Sequence, residues 1–342
     1  MRLDRELCLG GRLNNKDILG IKYNGYIIYP WHLDSAITYT FNGSSCGIII
    51  TGISDYDIED STNSDGSTTR RIFFERTSNE PIKINFTEED RNNLIRIDQL
   101  KGFYDFPGTF LGCRNLKYIN LSEIDTSKAT DMRYTFKETY LLEELDLSSW
   151  DTSNVTTMEG MFNCGPYNLT TLDLSNFDTS KVTDMSNMFS AYLALTSLNL
   201  SSFNTGNVID MGDMFFGCYN LITLDLSNFN TSNVTNMYGI FSGCKNLTSL
   251  DIRNFDTAKV EITNYMFFEC YKLQELRLDN CSNDTINKVI TSSYFPTGIA
   301  TDPEGNPIAV TRKIYVNPNN ISDLTPPNGW VFVNKDTEEI IN

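Results

Sequence analysis

One string of about 26 residues recurs seven times between residues 110 and 278, most clearly as LTTLDLSNFDTSKVTDMSNMF at residues 169–189. Nothing else in the chain limits its fold so tightly. Leucine or isoleucine triplets mark the repeats at Leu116/Ile119/Leu121, Leu142/Leu145/Leu147, Leu169/Leu172/Leu174, Leu195/Leu198/Leu200, Leu221/Leu224/Leu226, Leu247/Leu250/Ile252 and Leu273/Leu276/Leu278. Their last members are spaced 26, 27, 26, 26, 26 and 26 residues apart, so one corner, between Cys164 and Leu169, carries an extra residue. A unit of this size has one apolar face and cannot bury it alone. The units must stack into a solenoid.

Within a unit, Leu172-Asp173-Leu174 alternates apolar and polar residues, the period of a short strand with one face in a core. Seven such strands are expected to form a parallel sheet. Phe177 then turns a corner, as do Trp150, Phe203, Phe229 and Phe255, with Ile124 in the first unit. Asp178-Thr179-Ser180 offers side-chain oxygens suited to a turn or a helix N-cap. Val182, Met185, Met188 and Phe189 follow at the spacing of a helical apolar stripe, so a short helix is predicted in every coil. The fold class expected is an α/β leucine-rich-repeat solenoid of parallel short strands and short helices, about seven coils long. It carries an N-terminal all-β module over 1–95, the solenoid over 96–280 and a C-terminal cap over 281–342.

The N-terminal expectation rests on two strand-like runs around Asn24-Gly25, a strong hairpin signal, and on further runs at 36–41, 46–51, 70–74 and 81–86. Thr87-Glu88-Glu89-Asp90 reads as a helix start, and residues 94–108 read as a degenerate first coil. Residues 55–69 read as a mobile hairpin tip. Asp60, Thr62 and Ser64 mimic the start of a calcium loop, but Asp65 stands where that loop needs Gly. Past Cys281, a helix over 285–292 and strands over 313–316 and 330–333 are expected to cover the last coil.

The balance of 27 basic against 44 acidic residues gives a formal charge of −17, which repels nucleic acid and anionic membranes. Residues 1–8 carry charges where a signal peptide needs an apolar stretch, so export by the usual route is not expected, nor is membrane insertion. Cys113, Cys218, Cys244 and Cys270 share one repeat position, with Cys164 displaced by the inserted residue; they read as small buried side chains that stay reduced. His32 is the only histidine, which excludes His-containing catalytic triads, and no phosphate loop or nucleophile motif is present. No enzyme activity, metal or cofactor is expected. Two rows are candidate ligand-facing features. Asp146, Asp173, Asn199, Asp225 and Asp251 stack at one outward strand position, either as ordinary hydrated surface or as a cation-binding or base-binding ladder. Tyr140, Tyr167, Tyr219 and Tyr271 recur two residues before the leading Leu and suit either edge packing or contacts with protein or glycan.

The repeated string resembles the BspA-type leucine-rich repeats, known also from a mycoplasma lipoprotein repeat family, over residues 110–278. Thr263 for the helical Met, Tyr192 for the corner Cys, and Ile124 and Ala129 for Phe and Val depart from the pattern. The resemblance implies surface adhesion and no catalytic residue. IKYNGYIIYP at 21–30 resembles N-terminal segments of phage virion proteins, and KIYVNPNNISDLTPPNGWVFV at 313–333 resembles the segments that close such arrays. The function expected is therefore a non-enzymatic virion component. Residues 1–95 would dock on other virion proteins, and the solenoid would face a host protein or glycan. A bacterial surface adhesin is the alternative, a polysaccharide-degrading solenoid a distant third, and homo-oligomerisation is left open.

Overall fold

The computed structural model describes residues 8–13, 16–23, 26–28, 35–42, 48–51, 56–74, 83–100, 106–297, 305–307, 310–321 and 323–341. From residue 94 onward the chain winds into a β-solenoid of about ten turns with few helices. Its interior is a single column of Leu, Phe, Met and Val side chains. In the coil of residues 195–218, Leu195, Val208, Met211, Met214, Phe215 and Cys218 are all fully buried. The phenylalanines that end each Met/Phe stripe run down the middle as a stack. Phe110, Phe136, Phe162, Phe189, Phe215, Phe241 and Phe267 have successive ring centres 5.5, 5.8, 5.7, 5.7, 5.9 and 5.6 Å apart. That spacing lies in the favourable range for aromatic pairs.

The predicted helices do not form. The segments with the Met/Phe stripe instead run as a second ladder along the solenoid, with parallel bridges linking Asp131, Thr157, Asp184, Asp210, Asn236 and Ile262 in order. Two left-handed residues per coil, four positions apart, prevent a helix. They are Tyr134 and Glu138, Gly160 and Cys164, Asn187 and Ala191, Asp213 and Gly217, Gly239 and Gly243, then Tyr265 and Glu269. A left-handed residue reverses the local winding, so it is tolerated singly and never propagates a right-handed helix. The backbone then alternates. Asn187, Phe189 and Ala191 donate to the carbonyls of Gly212, Met214 and Phe216 in the next coil, while Met188, Ser190 and Tyr192 donate to Met185, Asn187 and Phe189 and close turns. Each donor has a partner, which a buried backbone requires.

The opposite face is a regular parallel sheet only near the ends. Strand β9 (Leu94–Leu100) pairs with β10 (Tyr118–Ile119), and β11 (Ser249–Asp251), β12 (Glu275–Arg277), β13 (Arg312–Val316) and β14 (Trp330–Asn334) run parallel in sequence order. In between, side chains take up hydrogen bonds that a strand ladder would use. The Asn176 amide donates to the Leu147 and Trp150 carbonyls, and Asn228 donates to Leu200 and Phe203. At the next corner, Thr126, Thr152, Thr179, Thr205 and Thr231 are buried. Each hydroxyl accepts from the N–H and donates to the carbonyl of one residue in the following coil; for Thr205 and Asn230 the distances are 2.8 and 2.9 Å. The Asp-Thr-Ser string therefore makes a local turn through Asp178, which accepts from Ser180 N–H at 2.9 Å, and clamps coil to coil through Thr179.

Before the solenoid come β1 (Cys8–Leu13), β2 (Lys16–Tyr23) and β3 (Tyr26–Ile28), an antiparallel meander with Tyr23 opposite Tyr26; Asn24 and Gly25 lie outside the described residues. Strand β5 (Ile48–Thr51) pairs with β8 (Lys83–Phe86). Strand β4 (Ser35–Phe41) pairs antiparallel with both β9 and β7 (Thr68–Phe74), and β7 with β6 (Tyr56–Thr62), so one five-stranded sheet runs from this region into the first coil. Residues 63–67 form the hairpin tip expected there, closed by local bonds: Asn63 and Gly66 complete backbone bonds, and Asp65 accepts from both the N–H and the hydroxyl of Ser67. Helix α1 (Glu88–Asn93) has the capping box expected of Thr87 and Asp90. At the far end, helix α2 (Asn283–Ile290) starts from an N-cap at Ser282, and β15 (Ile340–Ile341) pairs antiparallel on β14. No described helix is long and apolar enough to cross a membrane.

Candidate functional site

The solenoid's candidate features are rows of side chains set by the coil register. The aspartate row comes first. Asp146, Asp173, Asn199 and Asp225 each use Oδ1 to accept the N–H two residues on, from Ser148, Ser175, Ser201 and Ser227, at 2.9 to 3.0 Å. Hydrogen bonds from Ser148 and Ser175 hold the Asp146 and Asp173 carboxyls below the usual carboxylate range. Burial opposes ionisation of Asp251, but the Arg253 guanidinium at 2.6 Å overrides it and holds this carboxyl low as well. The row thus has a local task, ending each outward strand position in an Asx turn. Asp225, Asp251, Ser197, Thr223 and Ser249 line a shallow open groove of about 320 Å³. Among the described residues no three His, Cys, Asp or Glu side chains gather as a metal site. Asp60 of the calcium-like string is held by the Arg70 fork at 2.8 Å on both oxygens.

The tyrosine row builds a different edge. Tyr140 and Tyr167 stack with ring centres 5.0 Å apart and planes within 2°. Arg114 stands one coil before them, 6.0 Å over the Tyr140 ring and paired with Glu138 at 2.7 Å. Farther along, Lys245 lies between Tyr219 and Tyr271, its ammonium 4.6 and 5.8 Å from their ring centres, and pairs with Glu269 at 3.2 Å. Arg114 and Lys245 occupy the tyrosine position in their own coils, and Leu193 occupies it between Tyr167 and Tyr219. Tyr167 and Tyr219 are exposed. The row therefore combines ring stacking and cation–π contact with a solvent-facing rim.

Cys113, Cys218, Cys244, Cys270 and Cys281 are buried, whereas Cys164 is only half-buried. The thiols of Cys218, Cys244 and Cys270 donate to the Phe189, Phe215 and Phe241 carbonyls one coil back, at 3.1, 3.2 and 3.1 Å. Cys164 sits at the left-handed position instead, and Gly165 takes the cysteine's place. A Cβ on Gly165 would come within 2.7 Å of Tyr192, which in the next coil fills the room with a ring.

One cluster is not legible from any single repeat position: Tyr238, Tyr265, Phe268 and Tyr294 pack at 5.0 to 5.8 Å across neighbouring coils on the left-handed face. Its sequence signal is Tyr265 and Tyr294 standing where the four coils before them have Gly160, Asn187, Asp213 and Gly239; the first coil also has a tyrosine there, Tyr134.

The profile of the family described as "Mycoplasma protein of unknown function, DUF285" matches this chain twice, over residues 104–221 and 191–293, together more than half its length. No curated protein and no solved structure matches the chain.

Proposed function

This chain belongs to the mycoplasma family of unknown function DUF285, and on that premise we propose that it is a non-enzymatic binding scaffold whose coils present side-chain rows to a protein or glycan. The observation that carries this reading is the register. Inter-coil bonds such as Phe189 N–H to Met214 and Phe215 N–H to Ile240 lock successive coils in phase, so a residue repeated at one position becomes a straight row. The Tyr140, Tyr167, Tyr219 and Tyr271 edge is the proposed contact surface, being aromatic, part cationic and solvent-facing. The leucine-rich-repeat assignment belongs to the same proposal and is supported by the three Leu positions of each coil and by the repeated string. So is the use of the strands before residue 95 for attachment, since β4 extends the first coil's sheet away from the array.

Labelled full-length protein should bind a bacterial or host-cell surface, and a Tyr167→Ala/Tyr219→Ala double variant should bind less with an unchanged melting temperature. Binding that ignores both tyrosines would overturn the proposed contact surface. Release of reducing ends from a polysaccharide panel would replace the scaffold by an enzyme. For the setting we propose a virion, supported by the resemblance at residues 21–30, with a cell surface as the alternative. Full-length chain in purified particles fits the first, and recovery only from envelopes the second.

A further inference from the structure

The left-handed face brings carboxylates and exposed aromatic rings together on adjacent coils. Asn187, Asp213, Gly239, Tyr265 and Tyr294 occupy its first left-handed position in successive coils. Asp213 leans over the bare Gly239, whose Cβ, if present, would overlap the carboxylate oxygen. Next to that glycine stands Tyr238, with its ring 5.4 Å from Tyr265, and Tyr265 stacks at 5.0 Å on Tyr294. Phe268 closes the cluster edge-on to both rings, at 5.8 and 5.5 Å. These groups are open to solvent: Tyr294 is 65% exposed, Tyr238 41% and Phe268 37%.

The middle of this face is acidic: residues 155–165, 182–192, 208–218, 234–244 and 260–270 hold Glu159, Asp184, Asp210, Asp213, Glu261 and Glu269, and no Lys or Arg. The cations of the first and last coils are engaged, Arg133 with Asp131, Lys137 over the Tyr134 ring and Lys288 with Asp284. Glu159 accepts from the Tyr134 hydroxyl and Glu269 pairs with Lys245 on the tyrosine edge. The other four have no ion pair among the described residues. One Asp213 carboxylate oxygen is buried without a hydrogen-bond partner, and Asp210 is bonded by the neutral Asn236 amide. An unpaired carboxylate beside exposed aromatic rings is complementary to a cation with an apolar stem. The rings attract the charge and cover the methylenes, and the acid supplies the counter-charge.

We infer that this face, from Asp210 and Asp213 to Tyr294, is a docking surface for a lysine- or arginine-bearing segment of a partner protein. The inference rests on the scaffold reading but uses a face other than the Tyr140 edge, so either can fail alone. The test is titration of the full-length protein with fluorescein-labelled deca-lysine, with melting temperature checked for every variant. The unmodified protein should bind. Tyr265→Asn with Tyr294→Asn, which keeps residues that tolerate the left-handed backbone, should weaken binding at least about tenfold. Asp213→Asn, matching the natural Asn187 one coil earlier, should weaken it several-fold. Two controls should leave it within about twofold: Asp146→Asn with Asp173→Asn, which removes two charges from the strand face, and Tyr167→Ala with Tyr219→Ala. No binding by the unmodified protein, or equal weakening by the Asp146/Asp173 control, would overturn the site in favour of general attraction to an acidic chain. Tyr265-dependent binding of a neutral glycan without Tyr265-dependent binding of deca-lysine would overturn it in favour of a sugar platform.

Discussion

At the scale of single residues, the stabilising contacts come from side chains that a pattern of apolar positions does not rank. Thr205 is buried and holds both backbone groups of Asn230. Thr205→Val keeps the shape and removes both part-buried hydrogen bonds to Asn230, so it should cost about 1–3 kcal/mol in denaturant unfolding, whereas Thr205→Ser should recover most of that. Asn228 reads from sequence as an inexpensive surface position. Its amide in fact bridges the Leu200 and Phe203 carbonyls at 2.9 and 2.7 Å, so Asn228→Ala belongs with the structural substitutions. The thiols set a pH limit. Burial pushes Cys218, Cys270 and Cys281 from an ordinary 9.0 up to about 12, and pushes Cys244 well above 9.0. A pKa raised by folding means that the unfolded chain loses the proton first. Stability is therefore complete below pH 9 and falls between about 9 and 12. The melting temperature should decline over that window, and Cys218→Ala with Cys270→Ala should flatten the decline. An equally steep fall in that variant would place the alkaline sensitivity elsewhere, in the buried tyrosines.

At the scale of the element, the unit is a closed coil of turns, and its chirality is set by the two left-handed residues. Gly239→Ala adds a Cβ that overlaps the Asp213 carboxylate at a backbone φ of 55°. The left-handed backbone alone disfavours Ala by about 1–2 kcal/mol, and the overlap adds to this. Gly239→Ala should thus lower stability by roughly 2–4 kcal/mol, and adding Asp213→Ala should return the part due to the overlap. Equal destabilisation in single and double variants would mean that only the backbone conformation matters. This element also shows what the sequence carries and what it hides. The order of coils, the buried faces, the capping box at Thr87 and the closing strands follow from spacing and end signals, because apolar burial has a period. The helix does not, because Met185, Met188 and Phe189 at i, i+3 and i+4 satisfy a helix and a chain of linked turns alike. The deciding sign is a weak one: Gly, Asn or Asp at Gly160, Asn187, Asp213 and Gly239, and Gly again four residues later at Gly217 and Gly243. The candidate surfaces were legible only where one residue type repeats. The Tyr140 row was readable in this way, but Arg114 and Lys245 in the same row were not, and neither was the Tyr238–Tyr265 contact, which joins unlike positions of adjacent coils.

At the scale of the whole molecule, the solenoid is a one-dimensional assembly in which each coil touches only its neighbours and both ends are covered by strands of opposite direction. β4 covers β9 at the start and β15 covers β14 at the finish, so the parallel ladder exposes neither terminal strand along those pairings. The last coil is further fixed by Arg312, a buried residue whose guanidinium donates to the Pro296 and Tyr271 carbonyls and whose Cζ lies 5.4 Å from the Trp330 ring centre. Coupling between the covered ends must pass through the phenylalanine stack and the inter-coil bonds. Phe215 sits near the middle of that stack, 5.7 Å from Phe189 and 5.9 Å from Phe241. Phe215→Ala should lower global stability by about 3–5 kcal/mol, as for a buried aromatic in a close-packed core. Nearest-neighbour coupling makes a further demand: the loss should be local in space. Hydrogen exchange should therefore quicken most at Phe189, Phe215 and Phe241, whose amides bond the next coil, and least at Leu94–Leu100 and Trp330–Asn334. Uniform acceleration along the whole chain would show that the array unfolds as one block, and the quasi-independent coils would then be wrong as an energetic description even though they are right as a geometric one.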